Sequence, residues 1–210
     1  MKRLASVAFF ALFAAACSLG EGEGEVRSDK LAVTGCWNGQ FDLRPDFFAG
    51  SPYRRQLAIR VQRSSDVVEV ADGVQVLVDD IDRVRQQIVE RPGEPLKVGL
   101  PPNVVPPGVP VTADPDPAIV HLTLYLHRAC HRQNAALYSI GGSIVFRAIF
   151  NGDRLETDTD ELLTEAEFDD IIVGDPRDRD VATNTVLNQS HIRGRFKFYF
   201  ERGQPAQPFP

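Results

Sequence analysis

His127-Arg128-Ala129-Cys130-His131 is the densest group of metal-ligand side chains in the sequence. His127, Cys130 and His131 could hold zinc or copper, and His121 lies on the same face of an alternating segment as His127. Covalent haem attachment needs Cys-x-x-Cys-His, and the second Cys is absent. The simpler reading puts the histidines at a solvent-facing strand end and gives Cys130 a structural role. A second group, Asp153, Glu156, Asp158, Asp160 and Glu161, follows Asn151-Gly152 and offers hard oxygen ligands. Such ligands can hold Ca²⁺ in a loop between strands. The EF-hand pattern is not matched, and a solvated acidic loop is the plain alternative. Ser139-Ile140-Gly141-Gly142-Ser143 lacks the Gly-x-Ser-x-Gly elbow of serine hydrolases. Carboxylates from distant strands could still pair for glycoside hydrolysis. No catalytic residue is assigned, and the sequence reads as non-enzymatic.

Two further sets of side chains suit binding. Arg193, Arg195 and Lys197 alternate with apolar residues and form a basic stripe. They would dock an acidic partner or pair with acids on neighbouring strands. Tyr125 and Tyr199 occupy polar strand faces and could stack on a sugar. Trp37 shares the apolar face of its segment and reads as core.

These side chains need strands to position them. Period-two alternation marks segments at Cys36–Leu43, Leu57–Gln62, Val120–His127, Leu137–Phe150 and Ile192–Glu201. Val67–Val70 and Val74–Val78 flank Asp72-Gly73, a tight-turn pair. Leu163–Val173 alternates less cleanly. Arg44–Arg55 reads as a turn-rich loop. Asp80–Glu90 reads either as a helix, with Ile81, Val84 and Ile88 at helical spacing, or as a continued strand and bend. Pro92–Pro117 is proline-rich, so it reads as a long crossover with one short edge strand at Leu96–Leu100. The pattern predicts an all-β fold, an antiparallel β-sandwich of jelly-roll-like or Ig-like type, over residues 31–210.

The N-terminus carries a different signal. Lys2 and Arg3 precede an apolar or small run from Leu4 to Ala16, too short to span a membrane and followed by polar residues. Residues 1–16 read as an export signal. Ala14-Ala15-Ala16-Cys17 resembles the lipobox of bacterial lipoproteins. That resemblance implies cleavage before Cys17 and acylation of its thiol and new amino group. The family usually has Leu where this chain has Ala14. Ser18 replaces the Asp that retains many such proteins at the inner membrane, which implies an outer-membrane address. Residues 17–30, rich in Gly and Glu, read as a flexible acidic tether.

Without Lys2 and Arg3, 21 of the 23 basic residues face 29 acidic ones, a net charge of −8. Such a domain repels nucleic acid, so the expected partners are the membrane, through the anchor, and another envelope protein. Cys36 and Cys130 remain after Cys17, and export would favour their disulfide. Closing so long a loop stabilises a fold by roughly 4–5 kcal/mol in the chain-entropy description. A non-catalytic structural or protein-binding lipoprotein is the expected function. A glycan-binding module, with or without Ca²⁺, is the alternative, and a hydrolase comes third.

Labelled palmitate is expected to enter the wild-type chain in cells and to be absent from Cys17→Ser. Equal labelling of the two, or of neither, would defeat the anchor.

Overall fold

The structure, a computed structural model, describes residues 22–63, 71–104, 116–130, 134–180, 182–183 and 185–201. The export signal, Cys17, the Val67–Val70 segment, His131 and residues 203–210 lie outside the described residues.

The alternating segments form strands because each presents one apolar row to a common interior. In chain order they are β1 (Gly22–Val33), β2 (Trp37–Leu43), β3 (Phe47–Tyr53), β4 (Gln56–Gln62), β5 (Gly73–Val78), β6 (Leu96–Lys97), β7 (Val120–Leu126), β8 (Ala135–Ala148), β9 (Leu163–Gly174), β10 (Arg179–Asp180), β11 (Thr185–Val186) and β12 (Ser190–Tyr199). Helix α1 covers Ile81–Glu90 and the single turn α2 covers Thr159–Leu162. Among the described residues no helix is long and apolar enough to cross a membrane.

The expected all-β, antiparallel class is observed. Ten of the strands form one sheet along the path β2-β1-β12-β9-β8-β7-β5-β4-β3, with β6 added beside β8, and β10 and β11 pair as a separate hairpin. One sheet therefore curls until its β3 end faces β12, and the layering comes from curvature within a single ladder. Phe48 on β3 stacks with Phe198 on β12 at 5.9 Å between ring centroids, and Phe150 stacks with Phe200 at 4.0 Å. Val26, Ile59, Leu122, Phe168, Ile171 and Phe196 fill the interior between them. Each such side chain, fully buried, contributes about 1.5–3 kcal/mol.

Three expectations are corrected. The tether expected to run to Lys30 gives way to β1 at Gly22. Glycine and glutamate alternate there because the inward positions have no room for a side chain. A Cβ on Gly22 would lie 2.7 Å from Phe48 and 2.8 Å from Phe198. The loop expected over Arg44–Arg55 holds β3, whose Phe47, Phe48 and Ala49 are buried. The long alternation of Leu137–Phe150 changes phase. Leu137 and Ser139 are buried before a bulge, Ile144 and Phe146 after it, and the register shifts between Gly142 and Val145. Gly142, at φ +109°, passes against Asp170 and Ile171 at this bulge, an approach only glycine allows.

The Asp80–Glu90 ambiguity resolves as a helix. The Asp80 side chain accepts a hydrogen bond from the Arg83 amide at 3.1 Å and caps its N-terminus. Cys36 and Cys130 are disulfide-bonded, with Cα atoms 5.2 Å apart.

Gly194 shows the same close packing as Gly22. A Cβ there would sit 2.5 Å from the Glu25 carbonyl and 2.8 Å from the Phe168 ring. At Gly141 the nearest such atom is 3.9 Å away. Gly194→Ala is expected to lower stability by about 1–3 kcal/mol, with Gly141→Ala near neutral. Urea denaturation of the two variants checks this, and equal midpoints would refute the packing argument.

Candidate functional site

The outward residues of β12 include Arg193, Arg195 and Lys197, and the ladder sets charged neighbours on both sides of them. Antiparallel pairing with β1 puts Glu23 opposite Lys197 and Glu25 opposite Arg195. Pairing with β9 puts Glu167 opposite Arg195 and Glu165 opposite Lys197. β8 adds Arg147 beside Glu167, and the β2–β3 connection adds Arg44. All of these side chains except Arg193 line an open depression of about 340 Å³ across the outer face of the sheet.

The charges alternate in sign. Arg193 makes a two-pronged contact with Asp29 at 2.7 and 2.8 Å, which holds the Asp29 carboxyl below its usual range. Glu25 is shared by Arg27, Arg44 and Arg195 at 2.7, 2.7 and 3.4 Å. Lys197 meets Glu165 at 3.3 Å, and Arg147 meets Glu167 at 2.5 Å. The basic stripe thus pairs with acids on its neighbours. The β1 part of its acidic half was missed in the sequence because the glycines of Gly22–Glu25 disguised a strand. The signal was present, since Glu23 and Glu25 repeat at the same period as Arg195 and Lys197.

The acidic loop spends its carboxylates on its own backbone. Asp153 Oδ1 accepts from the Leu155 amide at 2.8 Å, and Asp158 Oδ1 accepts from the Asp160 amide at 3.1 Å. Glu156 accepts from the amides of Asp158 and Thr157 and from the Asn151 side chain. These bonds hold its carboxyl below the usual range, the Asp158 amide contributing most. Glu161 pairs with Arg85 at 2.5 Å. Among the described residues no three His, Cys, Asp or Glu side chains are grouped as a metal ion requires.

The histidines differ from the solvent-facing arrangement expected of them. Every residue of β7 is buried, on both faces. His121 Nδ1 donates to the Gly99 carbonyl at 3.0 Å, and its Nε2 lies 3.0 Å from Asp79. Ser139 donates to the same carbonyl at 2.7 Å and accepts from the Leu122 amide at 2.9 Å, so its hydroxyl ties strands together. His127 is buried against the Tyr125 ring, nearly parallel to it, and neither of its ring nitrogens has a hydrogen-bond partner among the described residues. Burial raises the Tyr125 phenol above its ordinary pKa and removes the ring from any sugar-stacking surface. Tyr199 remains partly exposed at the end of β12.

Cys130 is locked in its disulfide, and the turn leading to it is held by one carboxylate. Asp72 Oδ1 accepts from the successive amides of His127, Arg128 and Ala129 at 2.8, 3.0 and 3.1 Å. Hydrogen bonds to a charged group are worth about 1.5–3 kcal/mol. Asp72→Ala is expected to lose about that much stability with the disulfide intact, measured by denaturant unfolding. An unchanged midpoint would show that water replaces the carboxylate at no cost.

No protein-family model, curated protein or solved structure matches this chain.

Proposed function

We propose that the protein is a lipid-anchored component of the bacterial envelope, addressed to the outer membrane, whose β domain works by binding another envelope protein rather than by catalysis. The lipobox-like Ala14–Cys17 supports the anchor, and the Cys36–Cys130 disulfide suits an oxidising compartment.

One observation carries the binding reading: the mixed-sign depression on β1, β12, β9 and β8. A field of one sign would select nucleic acid, phosphate or a simple polyion. Alternating charges instead select a surface with the complementary pattern, which is how protein partners are oriented and wrong ones rejected. The existing ion pairs are largely exposed, with the Arg195 side chain 74 % accessible. Such pairs are worth about 0–1 kcal/mol each, so exchanging them for pairs across an interface costs little.

In-cell crosslinking of the tagged chain, followed by capture and mass spectrometry, tests the proposal. A reproducible protein partner is expected. The double variant Arg195→Glu, Lys197→Glu should reduce its recovery about tenfold while the domain stays folded, as the loss of one or two interfacial ion pairs implies. Recovery of the chain alone, or of the same partner at equal yield from the double variant, would overturn it.

A further inference from the structure

The pairing registers define two ends of the curled sheet. Gly22 lies opposite Phe198, so β1 begins where β12 finishes. β8 finishes and β9 begins at that end too, since Ala148 pairs with Glu165 and Leu163 with Tyr199. β3 runs alongside the exit of β12. Phe48 packs on Phe198 and Gly22, and Gly50 lies 3.4 Å from Phe200 when given a Cβ. β3 then continues to Tyr53. The disulfide and the β10–β11 hairpin occupy the opposite end, where Val173 and Gly174 finish β9.

The apolar exposure is unevenly divided between these ends. Tyr53 is 64 % exposed, Leu155 73 % and Val89 82 %. All three belong to the end at which the described chain starts. Arg154 donates to the Pro52 carbonyl at 2.9 Å, which places Leu155 beside the Tyr53 turn. A Cβ on Gly152 would meet Ile81 and Pro52, so the start of α1 joins the same tip. Farther along α1, Ile88 and Val89 border a shallow depression of about 430 Å³ closed by Ala148 and Ile149. The opposite end exposes Leu187, at 43 %.

Chain length turns this asymmetry into a constraint. Cys17 precedes Gly22 by five residues, a reach of at most about 18 Å. From the level of Phe48, packed on Gly22, β3 extends five residues farther to Tyr53, about 17 Å along the strand. The two distances are nearly equal. A lipid on Cys17 that enters a bilayer lying across this end of the sheet therefore brings the Tyr53–Leu155 tip to the bilayer surface as well.

We infer that the Tyr53, Leu155 and Val89 end of the domain is a membrane-contacting surface, seated on zwitterionic headgroups beside the acylated Cys17. The inference rests on the lipid-anchor reading. Tyrosine and leucine suit the interface, where an aromatic ring spans the boundary between water and acyl chain. Arg54 lies over the Tyr53 ring at 5.3 Å. The same tip balances exposed Asp82, Asp153, Asp158 and Asp160 against exposed Arg54, Arg55, Arg83 and Arg154, and on a domain of net charge −8 that balance suits a zwitterionic headgroup better than an anionic one.

The test uses the full chain purified from cells with its acyl groups and placed in phosphatidylcholine vesicles carrying brominated acyl chains. Leu155→Trp, Tyr53→Trp and Leu187→Trp report the two ends, with wild-type Trp37 as background. Val89→Trp is a second reporter if either tip variant folds poorly. Fluorescence at positions 155 and 53 is expected to fall by about half, consistent with shallow interfacial burial. Position 187 should match the background. Added phosphatidylglycerol should weaken the quenching. Protein that carries the acyl mass and floats with vesicles, but shows equal quenching at 155 and 187, overturns the contact and leaves the anchor standing. Stronger quenching in phosphatidylglycerol overturns the choice of headgroup. A chain without acyl mass that stays in solution overturns anchor and contact together.

Discussion

The contact of Phe48 with Phe198 over Gly22 is the constraint from which the rest of the architecture follows. An open antiparallel sheet of this length would leave one face wet, and its two end strands would be far apart. Here the sheet curls until β3 faces β12, and the ring of Phe48 occupies the space where a side chain at position 22 would stand. Gly24 extends the slot, since its Cβ would lie 3.2 Å from the same ring. Gly194 brings β12 equally close to Phe168. The glycines cost backbone entropy on folding, roughly 0.5–1 kcal/mol each relative to alanine. Burial of Phe48, Phe196 and Phe198 at 2 % exposure or less offsets that cost several times over.

Closing the sheet in this way fixes where charge can go. The first two inward positions of β1 are taken by glycine and the next by Val26, and the outward ones carry Glu23, Glu25 and Arg27 into register with Lys197, Arg195 and Arg193. Arg193 and Arg27 stand opposite each other, a like-charge pair. Asp29 and Asp42 relieve it by engaging Arg193 and Arg27 respectively. The alternating charge mosaic is thus a product of register as much as of composition. A shift of one residue would turn the glutamates into the core.

Much of this fold is legible in the sequence where a segment carries its own apolar row. Val120–Leu126 and Ser190–Tyr199 alternate so cleanly that their strands follow directly, and the capped helix at Ile81 was one of two readings of its pattern. The unread parts depend on a partner. Gly22–Glu25 has no apolar row to detect, because its inward face is filled by Phe48 from another strand. Phe47 and Phe48 sit among turn-forming residues and become a strand by pairing with β4. The phase change in β8 is invisible to a period-two count, since Ile140, Ile144 and Phe146 keep the same parity while the bulge at Gly142 turns the strand over. Burial of His121, Tyr125 and His127 follows from elements packing on the second face of β7, as the contacts of His121 with Gly99 and Asp79 show. Alternation implies one wet face, and here neither is wet.

Stability and the proposed recognition fall to different parts of the molecule. The aromatic interior, the Asp72 clamp and the disulfide hold the fold, and none of them needs the outer charges of β12. The ion pairs there are exposed and individually weak, so that face could exchange them for a partner's charges without loosening the core. Nor would the proposed recognition compete with the proposed lipid anchor for surface. The mosaic lies on the side of the sheet, and the exposed Tyr53 and Leu155 lie at its end. A domain seated on its tip would therefore present the charged side laterally, across the membrane plane, to a neighbour held at the same height. A partner fixed to the same membrane needs less interaction energy than one captured from solution, because confinement raises its effective concentration. Weak, exchangeable ion pairs are adequate for that task, and a mixed-sign surface supplies the orientation they need.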